Sequence, residues 1–91
     1  MRITLRSFAR FREIFGEEKT IETKGVATPK MVLSALCEEK GCTETLFTAE
    51  GMLHPHITVI LNGRRLSAGE TEDTSLADGD TLVVYPPVSG G

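Results

Sequence analysis

Apolar and polar residues alternate from the start of the chain: Ile3 and Leu5 fall on one side, Thr4 and Arg6 on the other. That period of two over Arg2–Phe8 predicts a strand with one buried face. The alternation breaks over Ala9–Phe15, which reads as a turn of helix or a tight loop ending at Gly16. A second short strand is predicted over Lys19–Thr23 around Ile21, and the loop Gly16–Glu18 lets the two pair as neighbours. Thr28-Pro29 opens the clearest helix. Thr28 suits the N-cap, and Pro29 suits the first helical position, where its missing N–H would be unpaired anyway. Met31, Val32, Ala35 and Leu36 recur at three- and four-residue spacings and form one apolar stripe. Gly41 fits a left-handed stop, so the helix is predicted over Pro29–Lys40.

Cys42–Leu53 shows no period, and Leu46 and Phe47 are expected under the edge of the core. His56–Leu61 alternates again, with Ile57, Val59 and Leu61 on one face, and Asn62-Gly63 is a strong hairpin signal because both residues tolerate positive φ. Arg64–Leu66 is the short return strand. Asp78-Gly79-Asp80 turns the chain into a last strand, Thr81–Tyr85, with Leu82 and Val84 on one side. One helix among so many strands predicts an α+β fold, a mixed sheet of four to five strands with the helix across one face. A parallel α/β fold would need more helices.

A chain of 91 residues, 40% hydrophobic and 25% charged, is one small folded domain. It buries roughly 60–65% of its extended surface. Ten basic against 13 acidic residues give a net charge of -3, the wrong sign for a binder of nucleic-acid phosphates. The longest apolar run is the four residues Leu82–Tyr85, so neither a membrane span nor a signal-peptide core is predicted. Cys37 and Cys42, without a secretory signal, suggest free thiols in a reducing cytoplasm.

Few residues offer chemistry of their own. His54-Pro55-His56 could contribute two metal ligands, but a site needs three or four with a supporting shell, and a loop running into a strand explains the pair. No metal is expected. Cys37 on the predicted helix reads as a small, partly buried side chain, because nothing nearby is placed to lower its pKa. No glycine-rich phosphate cradle is present. Glu17, Glu18, Glu38, Glu39, Glu70, Glu72 and Asp73 read as a solvated rim in loops and at helix ends. An enzyme acting alone is not expected.

The end of the sequence is different. Residues 1–85 form the domain, and Pro86-Pro87-Val88-Ser89-Gly90-Gly91 form an extended tail. The prolines stop sheet pairing and favour an extended exit, and six such residues reach roughly 20 Å. Gly90 and Gly91 carry no Cβ, so the tip can thread a channel too narrow for side chains. A proline-stiffened arm leaving a strand with a bare diglycine end suits presentation to a partner.

These motifs resemble those of the ubiquitin-like sulfur carriers of the MoaD and ThiS type, which have the β-grasp fold. The resemblance covers nearly the whole chain: Phe8-Ala9 with Arg12-Glu13 and Gly16, Asn62-Gly63, Asp78-Gly79-Asp80, and most specifically Tyr85-Pro86-Pro87-Val88-Ser89-Gly90-Gly91. His56-Ile57-Thr58-Val59 ahead of Asn62-Gly63, with that ending, is similar to the archaeal small modifier proteins. Arg65 departs from the pattern: the small subunit of molybdopterin synthase tends to carry an apolar interface residue there.

The resemblance implies that Gly91 is the reacting group. A terminal carboxyl has a pKa of about 3.3–3.7 and is ionised at neutral pH, a poor electrophile. An adenylyltransferase resembling ubiquitin-activating enzyme would use ATP to activate it, and this chain itself would bind no cofactor. The product would be a thiocarboxylate for molybdopterin synthesis or tRNA thiolation, or an isopeptide bond to protein lysines. The implied partners are that activating enzyme, the large subunit of molybdopterin synthase or another sulfur-transfer protein, and target lysines. Two other readings stand beside this one: a molybdopterin synthase small subunit that only donates sulfur, and a non-covalent β-grasp binding module. Alternation places Val83 and Tyr85 opposite Leu82 and Val84, and Ile60 opposite Val59 and Leu61. With Phe8 and Arg65 they form the expected partner-binding face, to which Arg64 is expected to add a second charge.

Overall fold

The computed structural model describes residues 1–86; Pro87, Val88, Ser89, Gly90 and Gly91, and the expectations placed on them, lie outside the described residues. Among the described residues, five strands form one sheet: β1 (Arg2–Ser7), β2 (Glu18–Glu22), β3 (Thr58–Leu61), β4 (Arg64–Arg65) and β5 (Thr81–Tyr85). Their order is β2-β1-β5-β3-β4, so the last strand of the sequence lies in the middle. β1 and β5 are parallel and the other neighbouring pairs antiparallel. Four helices follow in chain order: α1 (Arg10–Phe15), α2 (Pro29–Lys40), α3 (Thr43–Leu46) and α4 (Ala68–Asp73). This mixed sheet with its main helix across one face is the expected β-grasp.

One face of every long strand feeds the core. Ile3 and Leu5 of β1, Val59 and Leu61 of β3, and Leu82 and Val84 of β5 are buried against Val32, Leu33, Leu36 and Cys37 of α2. α1 adds Phe11 and Phe15, packed edge to face at 6.4 Å. Leu46 and Phe47 are buried as expected.

The limits of α2 match the reading from sequence because its caps are built into the chain. The Thr28 hydroxyl accepts from the Met31 N–H at 3.2 Å, and Gly41 takes the left-handed conformation at φ 69. Its buried stripe is turned from the expected one. Met31 is 54% exposed and Ala35 is exposed, whereas Leu33 and Cys37 are buried. Residues 32 and 36 are flanked by apolar positions on both sides, and only packing decides which flank faces the sheet.

Other differences are local. β2 begins one residue earlier than expected and β3 two residues later; β4 stops at Arg65, although Leu66 still donates to the Val59 carbonyl at 2.8 Å. Thr43–Leu46 is helical, and a bridge joins Phe47 to Leu53 inside the supposedly irregular stretch. Glu18 lies within β2, whereas Glu70, Glu72 and Asp73 lie in the first and last turns of α4, at helix ends as expected. The signal for α4 is Ser67-Ala68-Gly69-Glu70, a capping box. The Ser67 hydroxyl accepts from the Glu70 N–H at 3.2 Å, and the Glu70 carboxylate accepts from the Ser67 N–H at 2.9 Å.

The start of β5 is fixed by a polar clamp. Asn62 and Gly63 take positive φ (48 and 86), as a tight hairpin requires. The Asn62 amide donates to Asp80 at 2.8 Å, and its oxygen accepts from the Thr81 N–H at 2.9 Å. Asp80 also accepts from the Ala77 N–H at 2.7 Å, while Asp78 accepts from the Arg2 N–H at 2.7 Å. Side chains from two turns therefore set where β5 enters between β1 and β3.

Two predictions follow from this packing. Burial, with the Cys42 side chain beside it, pushes the Cys37 thiol up to about 12. The thiolate is the reactive form, so iodoacetamide at neutral pH should modify half-buried Cys42 and spare Cys37 until denaturant is added. Intact mass, showing one adduct before unfolding and two after, checks this.

The Glu70 carboxyl is lowered from 4.5 to about 2, first by the Ser67 backbone N–H and then by Arg64, whose guanidinium donates to it at 2.7 Å. A depressed folded-state pKa stabilises the native state above the unfolded value, and that contribution is lost as pH falls through the folded one. The stability advantage of the wild type over Glu70→Gln should therefore fade between pH 4.5 and about 2, as followed by denaturant melts across that range.

Candidate functional site

The helices α1, α3 and α4 all contact α2, so they gather on one side of the sheet and, among the described residues, leave the other side open. Strand alternation populates that open side. Ile60 pairs with Val83 on one side and with Arg65 on the other, Val83 pairs with Arg6, and Thr58 pairs with Tyr85. Ile60 and Val83 are half-buried, and Arg65 is exposed. Phe8 follows β1 directly, and its N–H still donates to the Val84 carbonyl at 3.3 Å.

Because β1 and β5 run parallel, Phe8 and Tyr85 arrive at the same end of the sheet. Their rings stack with centroids 4.8 Å apart and planes 15° from parallel. The Arg6 guanidinium carbon lies 5.8 Å from the centre of the Phe8 ring, and its Nε is 3.8 Å from Glu18. Arg6 was not among the expected face residues, yet position i−2 from Phe8 in a strand shares its face. Ala9 takes φ 53 and ψ -134, a strained choice for a residue with a Cβ. It closes a turn in which the Phe11 N–H donates to the Phe8 carbonyl at 3.2 Å, fixing the backbone that carries the Phe8 ring.

The five expected face residues, Phe8, Ile60, Arg65, Val83 and Tyr85, are thus brought onto one surface. Arg64 is not. Its register partner is Leu61, on the core side, and its guanidinium is held by Glu70. One arginine, not two, serves the open face, and among the described residues Arg65 makes no ion pair.

Tyr85 is 37% exposed and ends the central strand, held by β1 on one side and β3 on the other. Pro86 follows; lacking an N–H, it cannot extend the ladder. The described chain therefore leaves the sheet at Pro86, at the border of the open face and beside the Phe8–Tyr85 stack.

The remaining candidates are structural in their surroundings. His54 shares a ring-nitrogen hydrogen bond of 3.1 Å with the Glu44 carbonyl, tying the loop to α3. Cys37 is buried in the core. Among the described residues no group of three or more His, Cys, Asp or Glu is placed to hold a metal ion, and no helix is long and apolar enough to cross a membrane.

Comparison with known proteins agrees with this architecture. Small archaeal modifier protein 3 of Haloferax volcanii is 36% identical over 92 residues, covering 100% of both chains. The crystal structure of SAMP1 from Haloferax volcanii superposes with a TM-score of 0.82 at 33% identity, again over 100% of both chains. The solution structure of the Haloferax volcanii HVO 2177 protein gives a TM-score of 0.86 at 38% identity, covering 100% of this chain and 87% of the other. The first of these relatives is by name a small archaeal modifier protein. The ThiS family matches residues 5–91, from the first strand through the final glycine, and the chain belongs to that family.

Proposed function

We propose that this chain is a ubiquitin-like modifier and sulfur carrier whose reacting group is the Gly91 carboxyl. The observation that carries the reading is the placement of β5. The strand next to the tail is central, gripped on both sides, and ends at an open face bearing Phe8, Tyr85, Ile60, Val83 and Arg65. A partner can dock on that face and receive the tail without disturbing the core. Membership of a family with small modifier relatives supports the same reading.

The chemistry needs activation. The ionised carboxylate attacks the α-phosphorus of ATP, pyrophosphate leaves, and Gly91 becomes an acyl adenylate. A ubiquitin-activating-enzyme-like adenylyltransferase supplies the ATP site, since this chain has no phosphate cradle of its own. A persulfide sulfur then displaces AMP, and a thiol reductant cleaves the resulting S–S bond to release the thiocarboxylate. Alternatively a lysine amine displaces AMP and forms an isopeptide bond. The thiocarboxylate would serve molybdopterin synthesis or tRNA thiolation through a sulfur-transfer partner, in the cytoplasm. Pro86, Pro87, Val88, Ser89 and Gly90 form the arm that threads the activating site.

Deleting Gly90 and Gly91 should abolish activation and leave the melting temperature nearly unchanged, because two glycines have no apolar side chain to bury. With ATP, a sulfur source and cell extract, intact mass should show the gain from one carboxyl oxygen replaced by sulfur in the full chain and none in the deletion. The last basic residue is Arg65, so trypsin leaves a long remnant on any modified lysine. Ser89→Arg would shorten it to the diglycine. A sulfur adduct without lysine remnants would favour the molybdopterin synthase subunit; neither product would leave the non-covalent binding module.

The face has its own test. Phe8→Ala or Tyr85→Ala should weaken binding to the activating enzyme by about 1–3 kcal/mol, as aromatic anchors do. Arg65 in a desolvated contact needs an acidic partner. Arg65→Glu should therefore lose binding and Arg65→Leu retain part of it. Tighter binding of Arg65→Leu to a molybdopterin synthase large subunit would mark the apolar, synthase-type interface instead. Titration calorimetry reads all four variants, and unchanged affinity in all of them would exclude this face.

A further inference from the structure

A second surface lies at the β2 edge of the sheet, on the side of α2, whereas the Phe8–Tyr85 stack is on the open side. A groove of about 330 Å³ runs between β2 and α2, lined by Ile21, Val26, Met31, Ala35, Leu36 and Glu39 among others. Its apolar lining is open to solvent: Val26 is 75% exposed and Met31 54%. These include the α2 residues that packing leaves outside the core.

The adjoining strand has a free edge, and its hydrogen-bond phase can be worked out. Met1 and Thr23 exchange both backbone hydrogen bonds, at 3.0 and 2.9 Å, and the Ser7 N–H donates to the Glu17 carbonyl at 3.1 Å. In an antiparallel pair the inward-bonding residues alternate. Residues 17, 19, 21 and 23 therefore bond to β1, and the N–H and C=O groups of Glu18, Thr20 and Glu22 point away from the sheet. β2 is terminal in the strand order, so among the described residues no neighbouring strand takes them.

Charge selects the occupant. On the open face, Glu18 and Glu22 flank the edge, tied to Arg6 and Arg2 by surface pairs of 3.8 and 3.0 Å. Such exposed pairs contribute little, leaving the carboxylates able to accept a further cation. Glu39 at the groove wall is 3.7 Å from Lys19, and Lys24 lies beyond the end of the strand. The antiparallel self-pairing centred on Thr20 is disfavoured for a second copy of this chain: it sets Glu18 against Glu22 twice, and like charges directly opposed are unfavourable.

We propose that the β2 edge and this groove receive an added strand from a partner protein, an extended segment with apolar side chains at alternate positions and basic ones between. Its backbone bonds to Glu18, Thr20 and Glu22, its apolar side chains enter the groove, and its basic side chains lie beside Glu18 and Glu22. This contact is independent of the chemistry at Gly91.

The test is an amide NMR titration of the isotope-labelled full chain with a short synthetic peptide in which lysine and valine alternate. Saturable shifts are expected over Glu18–Lys24 and Met31–Glu39. The same peptide with glutamate for lysine should bind about tenfold or more weakly. Ala35→Arg, which fills an exposed part of the groove, should lower affinity about tenfold with an unchanged melting temperature. Thr20→Pro, which removes an outward N–H, should do the same if its melting curve shows it folded. Absent shifts, shifts centred on Phe8 and Tyr85, equal binding of the glutamate peptide, or full affinity in Ala35→Arg would each overturn the proposal. So would a dimer through β2 that the peptide fails to dissociate, which would make a second copy the occupant.

Discussion

The ladder that seats β5 between β1 and β3 is the constraint on which the rest of the structure depends. Leu82 and Val84 are fully buried only because neighbours on both sides hold the strand against α2. The same pairing fixes the open face, since it sets Arg6 beside Val83 and Val83 beside Ile60. A one-residue slip would exchange the core and open-face residues. The clamp of Asn62, Asp78 and Asp80 guards against that slip by tying the start of β5 to both neighbouring strands.

Core packing and the open face are thereby divided between the two sides of one strand. Residues facing α2 are packed without regard to any partner, while those facing outward remain half-exposed and apolar, a costly arrangement unless something binds there. The Phe8–Tyr85 stack sits where these requirements meet. It orders two aromatic rings beside the point at which Pro86 ends sheet pairing, and the strained turn at Ala9 holds one of them. The described residues contribute a paired platform whose open side carries these rings at the end of the central strand.

Charge refines that platform. Arg64 and Arg65 are adjacent in sequence, yet they act on opposite faces. Arg64 closes on Glu70 and supports α4, while Arg65 stands beside Ile60 on the open side. Adjacent charges in a strand do not add their fields on one surface, because the pleat separates them.

Much of this was legible in the sequence. The span of α2 could be read from Thr28, Pro29 and Gly41, whose backbone preferences act locally whatever surrounds them. The hairpin at Asn62-Gly63 and the facing of Ile60, Val83 and Tyr85 follow from turn chemistry and a period of two, and the diglycine ending pointed to the family. α4 was also written locally, in the Ser67–Glu70 capping box, though its six residues carry too little apolar periodicity to stand out. What the sequence could not decide were choices between locally equivalent options. Leu33 and Cys37 compete with Met31 and Ala35 for the buried flank of α2, and both flanks satisfy helical spacing. Which one faced the sheet depended on how the helix docked, and that docking also left the groove beside β2 open. The central place of β5 likewise came from long-range pairing, in which residues about 75 positions apart lie side by side.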